Sequence, residues 1–139
     1  MRIKWSTELE SGVRSIDLQH EELIEMLNEL SEGYAKACSG EVLDDVMQRL
    51  EGYIVFHFST EEALMAGLPR TEKHIERHKQ EHLNFVDKFN EMRHQSKHDG
   101  LAAMGNLIDF LHAWLYEHIL KTDRQLGALL ISQSAQLRD

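Results

Sequence analysis

Apolar residues recur three and four positions apart over long stretches, and a single proline, Pro69, interrupts the 139 residues. The pattern predicts an almost wholly helical chain. A first helix is expected over 16–38, its stripe formed by Ile16, Leu23, Ile24, Leu27, Leu30 and Tyr34, with Ser15 or Asp17 as cap and Ser39-Gly40 as its end. A second is expected over 41–66 through Leu43, Val46, Leu50, Ile54, His57, Glu61 and Leu64, stopped by Gly67-Leu68-Pro69. Thr71 is the expected cap of a third, reaching about residue 95, with His74, His78, His82, Phe85 and Phe89 along one side. The polar segment 96–100 breaks the pattern before a fourth helix over 101–121, which carries Leu107, Ile108, Leu111, Trp114, Leu115 and His118. Leu126, Leu129, Leu130 and Leu137 predict a short helical tail, and the first ten residues read as an irregular arm anchored by Trp5. Four helices of about 20 residues with short connections pack most simply as an up-down-up-down antiparallel four-helix bundle, an all-α fold.

Composition narrows the function classes. Fifteen Lys and Arg stand against 24 Asp and Glu, a formal charge of −9, with 42% apolar and 28% charged residues. This predicts one acidic globular domain spanning 1–139. Scattered basic residues among more numerous acids disfavour nucleic acid and anionic membrane surfaces as partners. No stretch approaches the ~20 apolar residues of a membrane-spanning helix. The lone Cys38 has no internal disulfide partner, and the N-terminal residues lack the apolar run of a signal peptide, so a reducing, cytoplasmic compartment is expected. The expected oligomeric state is a monomer. Cys38 reads as buried filler. Nine histidines are the one unusual count.

An alternating bundle brings His20, the His57/Glu61 pair, the His74/His78 pair and His118 to the same end, each on the stripe its helix should bury. A lone imidazole on such a stripe is usually a satisfied core residue. Five with a carboxylate at one end require a common partner, because each is costly to bury unpaired. Residues four apart on a helix differ by about 40° and can chelate together. Imidazole and carboxylate without thiolate suit iron, and less decisively zinc, nickel or copper, and this donor set is too large for one tetrahedral zinc. The run His74, His78, His82 also allows His78/His82 as the chelating pair, although distance from Pro69 favours the earlier one. His94, His98 and His112 read as solvent-facing or as neighbours of ligands. Glu91-x-x-His94 matches only half of a ferritin-like ligand pattern.

The segments Ile16-Asp17-Leu18-Gln19-His20, His57-Phe58-Ser59-Thr60-Glu61-Glu62 with Met65, Gly67-Leu68-Pro69 with His74-x-x-x-His78, and Trp114-Leu115-Tyr116-Glu117-His118-Ile119 with Asp123 resemble, in order and over most of the chain, a single-domain bacterial hemerythrin. The resemblance implies two non-haem iron ions with a bridging oxo or hydroxo group. His74, His78 and His118 would hold one iron and His20 and His57 the other, with Glu61 and Asp123 bridging. Two octahedral irons offer about 12 places, of which protein donors and the shared oxygen group fill about 11. The remaining place, on the iron with two histidines, is where the family binds dioxygen.

Leu68 stands where relatives usually carry tyrosine, and the preceding loop is short. Asp123 follows His118 by five residues, about 140° round an ideal helix, so bridging requires a neighbouring face or a local distortion. Leu23, Phe58, Trp114 and Ile119, next to or one turn from ligands, are expected to wall an apolar oxygen pocket. The expected function is reversible dioxygen binding by a carrier, store or buffer that is not an enzyme. The alternatives are a di-iron peroxidase or oxidase, and an oxygen-sensing module acting on a separate, unknown protein partner.

Overall fold

The computed structural model describes residues 3–36 and 40–137, which form five α-helices and no strand. Helix α1 spans Arg14–Ala35, α2 Gly40–Met65, α3 Lys73–Asp99 and α4 Leu101–Glu117; a π-helical turn, His118–Asp123, leads into α5, Arg124–Leu137. α1 packs on α2 and α3 on α4, and α1–α4 and α2–α3 contacts close the antiparallel bundle. Its apolar core runs from Leu30, Leu43, Val46 and Met104 to Phe58, Phe85 and Leu115.

Helix boundaries depart from the pattern where backbone chemistry overrides it. The α3–α4 connection is Gly100 alone, at φ 81° and ψ −152°. A residue without a Cβ turns the chain there at little cost, so the polar residues before it remain helical to Asp99. Glu72, rather than Thr71, caps α3, accepting a hydrogen bond from the His74 amide. α1 ends at Ala35; the expected extension to Cys38 and the Ser39 stop lie outside the described residues. Asp17 ties down the start of α1, its carboxylate accepting the amide protons of Ser11 (2.7 Å) and Gly12 (3.3 Å).

Two apolar layers close the end where the histidines gather. Ile16, Met65, Leu68 and Leu126 form a cap with Val13, Leu64, Ile75, Leu129 and Leu130, so α5 packs over the α2–α3 turn and Leu68 fills buried space there. On the α1 side the arm packs Ile3, Trp5 and Leu9 against Ile24 and Ile119, and Asn28 exchanges two 2.9 Å hydrogen bonds with the Ile3 backbone. α5 comes so close to the arm that a Cβ on Gly127 would stand 2.1 Å from the Ser11 carbonyl oxygen. The polar cluster is thus enclosed between the bundle core and a dry cap.

Candidate metal centre

Seven buried side chains from every part of the bundle converge: His20 from α1, His57 and Glu61 from α2, His78 and His82 from α3, and His118 and Asp123 from the π-turn. They fall into two overlapping groups. His20 and His57 make one, His78, His82 and His118 the other, and both include Glu61 and Asp123. Asp123 splits its oxygens between them: Oδ2 lies 2.7 Å from His20 Nε2 and 3.4 Å from His57 Nε2, whereas Oδ1 lies 3.0 Å from His78 and 2.9 Å from His118. Glu61 Oε1 sits between His57 (3.4 Å), His78 (3.4 Å), His82 (3.2 Å) and His118 (3.8 Å).

The structure brings together the later α3 pair, not the His74/His78 pair expected from Pro69. The reason is axial level. At 1.5 Å per residue, Glu61 and His57 lie about 6 and 12 Å from the end of α2, while His78 and His82 lie about 7.5 and 13.5 Å from the start of α3. His74, about 1.5 Å in, is level with the turn. The reach of Asp123 also has a local cause. The π-turn closes i→i+5 bonds, which bring residue 123 back over residue 118. This is the distortion that the five-residue spacing required, and π-bulges of this kind concentrate at functional sites.

The donor geometry fits metal ions better than hydrogen bonds. His78 Nε2, His118 Nε2, Asp123 Oδ1 and Glu61 Oε2 are buried without an aligned hydrogen-bond partner, although the first three lie within about 3 Å of one another's groups. His20 and His57 face each other Nε2 to Nε2 at 3.0 Å. Adjacent ligands about 2.1 Å from a shared octahedral ion stand roughly 3.0 Å apart, the spacing of the His20–His57, His78–Asp123 and His118–Asp123 pairs.

Outer partners set the tautomers. His57 Nδ1 donates to Gln19 Oε1 (2.8 Å), His82 Nδ1 to Glu62 Oε2 (3.1 Å) and His118 Nδ1 to Glu81 Oε1 (3.1 Å). Oxygens that only accept hold the proton on Nδ1, leaving the Nε2 lone pair directed inward. Gln19 is itself oriented by donating to Thr60 Oγ1 (3.1 Å), and Thr122 donates to Glu81 at 2.8 Å. Gln19, Glu62 and Glu81 carry no pattern of their own. Position next to a ligand in the chain, beside His20, Glu61 and His82 respectively, is the only sequence signal for each.

Charge follows the same geometry. Burial and the neighbouring Asp123 push the Glu61 carboxyl up, but the imidazoles of His118, His78 and His82 outweigh them and hold it below the usual value. Burial also raises Asp123, and His118, His20 and His57 bring it well below. Burial lowers His78 and His118, yet both end above the usual imidazole range, His118 well above, because the two carboxylates face them. Two cations would replace those protons as the carboxylates' counter-charge.

The four expected pocket residues divide into two walls. Leu23 and Ile119 line an apolar crevice with Ile24, Leu27 and Leu115, too narrow for a water molecule. Phe58 stacks on His82 (ring centroids 3.8 Å apart, planes at 10°) and Trp114 on His118 (4.4 Å, 16°), both on the three-histidine side. His112, expected at the surface or beside a ligand, is buried and bonded to Ser31, away from the cluster; His94 is exposed, and the His98 side chain and Cys38 lie outside the described residues.

An antiparallel helical bundle with two overlapping histidine and carboxylate groups defines a two-metal bundle protein. A profile of the hemerythrin HHE cation-binding domain matches residues 11–130. The bacteriohemerythrin of Clostridium acetobutylicum is 31% identical over 125 residues, covering 87% of this chain and 95% of its own. That of Stenotrophomonas maltophilia is 35% identical over 125 residues (86% and 76%), and that of Pseudomonas aeruginosa 31% over 141 aligned residues (97% and 86%). The chain belongs to the hemerythrin family, and its buried cluster is of the kind that holds the family's di-iron centre.

Proposed function

We propose that the protein binds dioxygen reversibly at a pair of non-haem irons, with His78, His82 and His118 on one, His20 and His57 on the other, and Glu61 and Asp123 bridging. The observation that carries this is the sharing of Glu61 and Asp123 by two groups of unequal histidine number inside a closed apolar end. Loaded with ferrous ions, such a centre supplies one electron from each iron to dioxygen and takes them back on release. The chain's own residues determine that exchange. Asp123 presents one oxygen to each group, and the acceptors at Nδ1 keep three imidazoles turned inward. Leu23 and Ile119, within one turn of the ligands His20 and His118, line a crevice that water does not enter, and such a dry wall supports carriage or storage over turnover.

A single domain, a monomer and a cytoplasmic location belong to the same proposal; the sole cysteine supports a reducing compartment, and no helix among the described residues is long and apolar enough to cross a membrane. A second reading, a di-iron oxidase or peroxidase, draws on the open polar cleft formed by Glu81, Glu117, Lys121 and Thr122 beside His118. Anaerobic loading with ferrous iron separates them. A visible band that appears in air and disappears when oxygen is withdrawn, over repeated cycles, supports binding; steady oxygen consumption with a reductant supports the enzyme.

A further inference from the structure

The oxygen-binding reading leaves two buried histidines unused, His112 away from the cluster and His74 against it. His74 is 5% exposed and contributes nothing to either ligand group, yet its ring stands nearly perpendicular to that of His78 (centroids 4.9 Å, planes at 81°) with its Nε2 2.8 Å from His78 Nδ1. Its other nitrogen, Nδ1, lies 3.2 Å from Arg77 Nη2, and Arg77 also donates to Gln125 Oε1 on α5. His57, His82 and His118 each have an oxygen acceptor at Nδ1; His78 has an imidazole there instead. His74 stands where no oxygen acceptor would otherwise serve that ligand.

We infer that His74 is a positioning residue for the iron ligand His78, its Nε2 accepting the Nδ1 proton of His78 while His78 Nε2 holds the cation. This rests on the ligand set proposed above. A neutral imidazole has one N–H and one lone pair. With Nε2 committed to a cation, the only proton of His78 is on Nδ1 and is donated to His74 Nε2. The proton of His74 is then on Nδ1, so Arg77, which only donates, turns from that nitrogen and keeps Gln125 as its partner. Without a cation the three groups can run the opposite way: Arg77 donates to His74 Nδ1, His74 Nε2–H donates to His78 Nδ1, and His78 Nε2–H faces Asp123 and Glu61. In this neutral arrangement the chain of hydrogen bonds runs opposite to the direction a bound cation requires. An acceptor behind Nδ1 fixes the ring and makes Nε2 the stronger donor.

Four proteins test this: the full chain, His74→Leu, His74→Gln and His78→Leu, each loaded anaerobically with ferrous iron. Iron per chain, competition against a chelator and the midpoint potential are measured, with melting of the metal-free proteins to check folding. His74→Leu is expected to keep two irons, lose about 10- to 100-fold in affinity and shift to higher potential, since a weaker donor favours the ferrous state. His74→Gln, whose Oε1 accepts a proton, is expected to recover most of both changes. Wild-type affinity and potential in His74→Leu, loss of an iron in that variant, or absence of rescue by glutamine each overturns the inference. His78→Leu is expected to lose an iron, and retention of both there overturns the underlying ligand set instead, and the inference with it.

Discussion

Replacing His82 with leucine distinguishes the two α3 pairs. The side chain offers Nε2 3.2 Å from Glu61 Oε1, donates from Nδ1 to Glu62 at 3.1 Å and stacks on Phe58 at 3.8 Å. Leucine fills the space and keeps an apolar contact with Phe58 while removing the donor atom. If a structural site of four donors contributes about 10–16 kcal/mol, each donor carries roughly 2.5–4 kcal/mol. Its loss should weaken the ion on the three-histidine side by about 10²- to 10³-fold. In the metal-free protein Glu61 retains His57 and His78 at 3.4 Å, so lost stability should stay within about 1.5–3 kcal/mol, the range for one hydrogen bond to a charged group. The assay is anaerobic loading, gel filtration and iron count per chain, followed by chelator competition. One tightly held iron in His82→Leu against two in His74→Leu is expected; the opposite pattern would refute the axial-level argument and restore the earlier pair.

Three further outcomes are expected. In the metal-free protein His78 and His118 have raised folded values, so their contribution is complete below the ordinary imidazole range and is lost as pH rises through those values; thermal midpoints should fall above about pH 6.5. The iron-loaded protein should not follow, because cations replace those protons, and parallel melting curves for the two forms would contradict the assignment. Replacing Ile119 with alanine or threonine should admit water to the Leu23/Ile119 crevice and speed autoxidation while two irons remain; an unchanged rate would remove the dry-wall argument. Gly127→Ala places a Cβ 2.1 Å from the Ser11 carbonyl and must displace α5 or the arm. A loss of about 1–3 kcal/mol is expected from thermal or denaturant unfolding, and an unchanged midpoint would show that the cap is not closely packed there.

The sequence by itself determined the helices, their antiparallel order and the convergence of chemistry at one end. Helical spacing places His20, His57, Glu61, His78 and His118 on the stripes that Leu23, Leu50, Phe85 and Leu111 continue, and short connections leave an alternating bundle as the simple packing. Which α3 residues reach the centre was a different kind of question. His74, His78 and His82 share a face, and a face is all that periodicity reports. Their height along the bundle depends on where Glu72 starts α3 and how many residues the Leu68 turn consumes, and only packing against α2 fixes that. Asp123 shows the same limit. Five residues after His118 it is off the ideal face, and the π-turn that returns it is stabilised by its contacts with His20 and His78 from other helices rather than by any local preference. The outer partners Gln19, Glu62 and Glu81 were not legible for a related reason: a side chain that orients a ligand needs only an acceptor at the right point in space, and tertiary structure alone supplies that point.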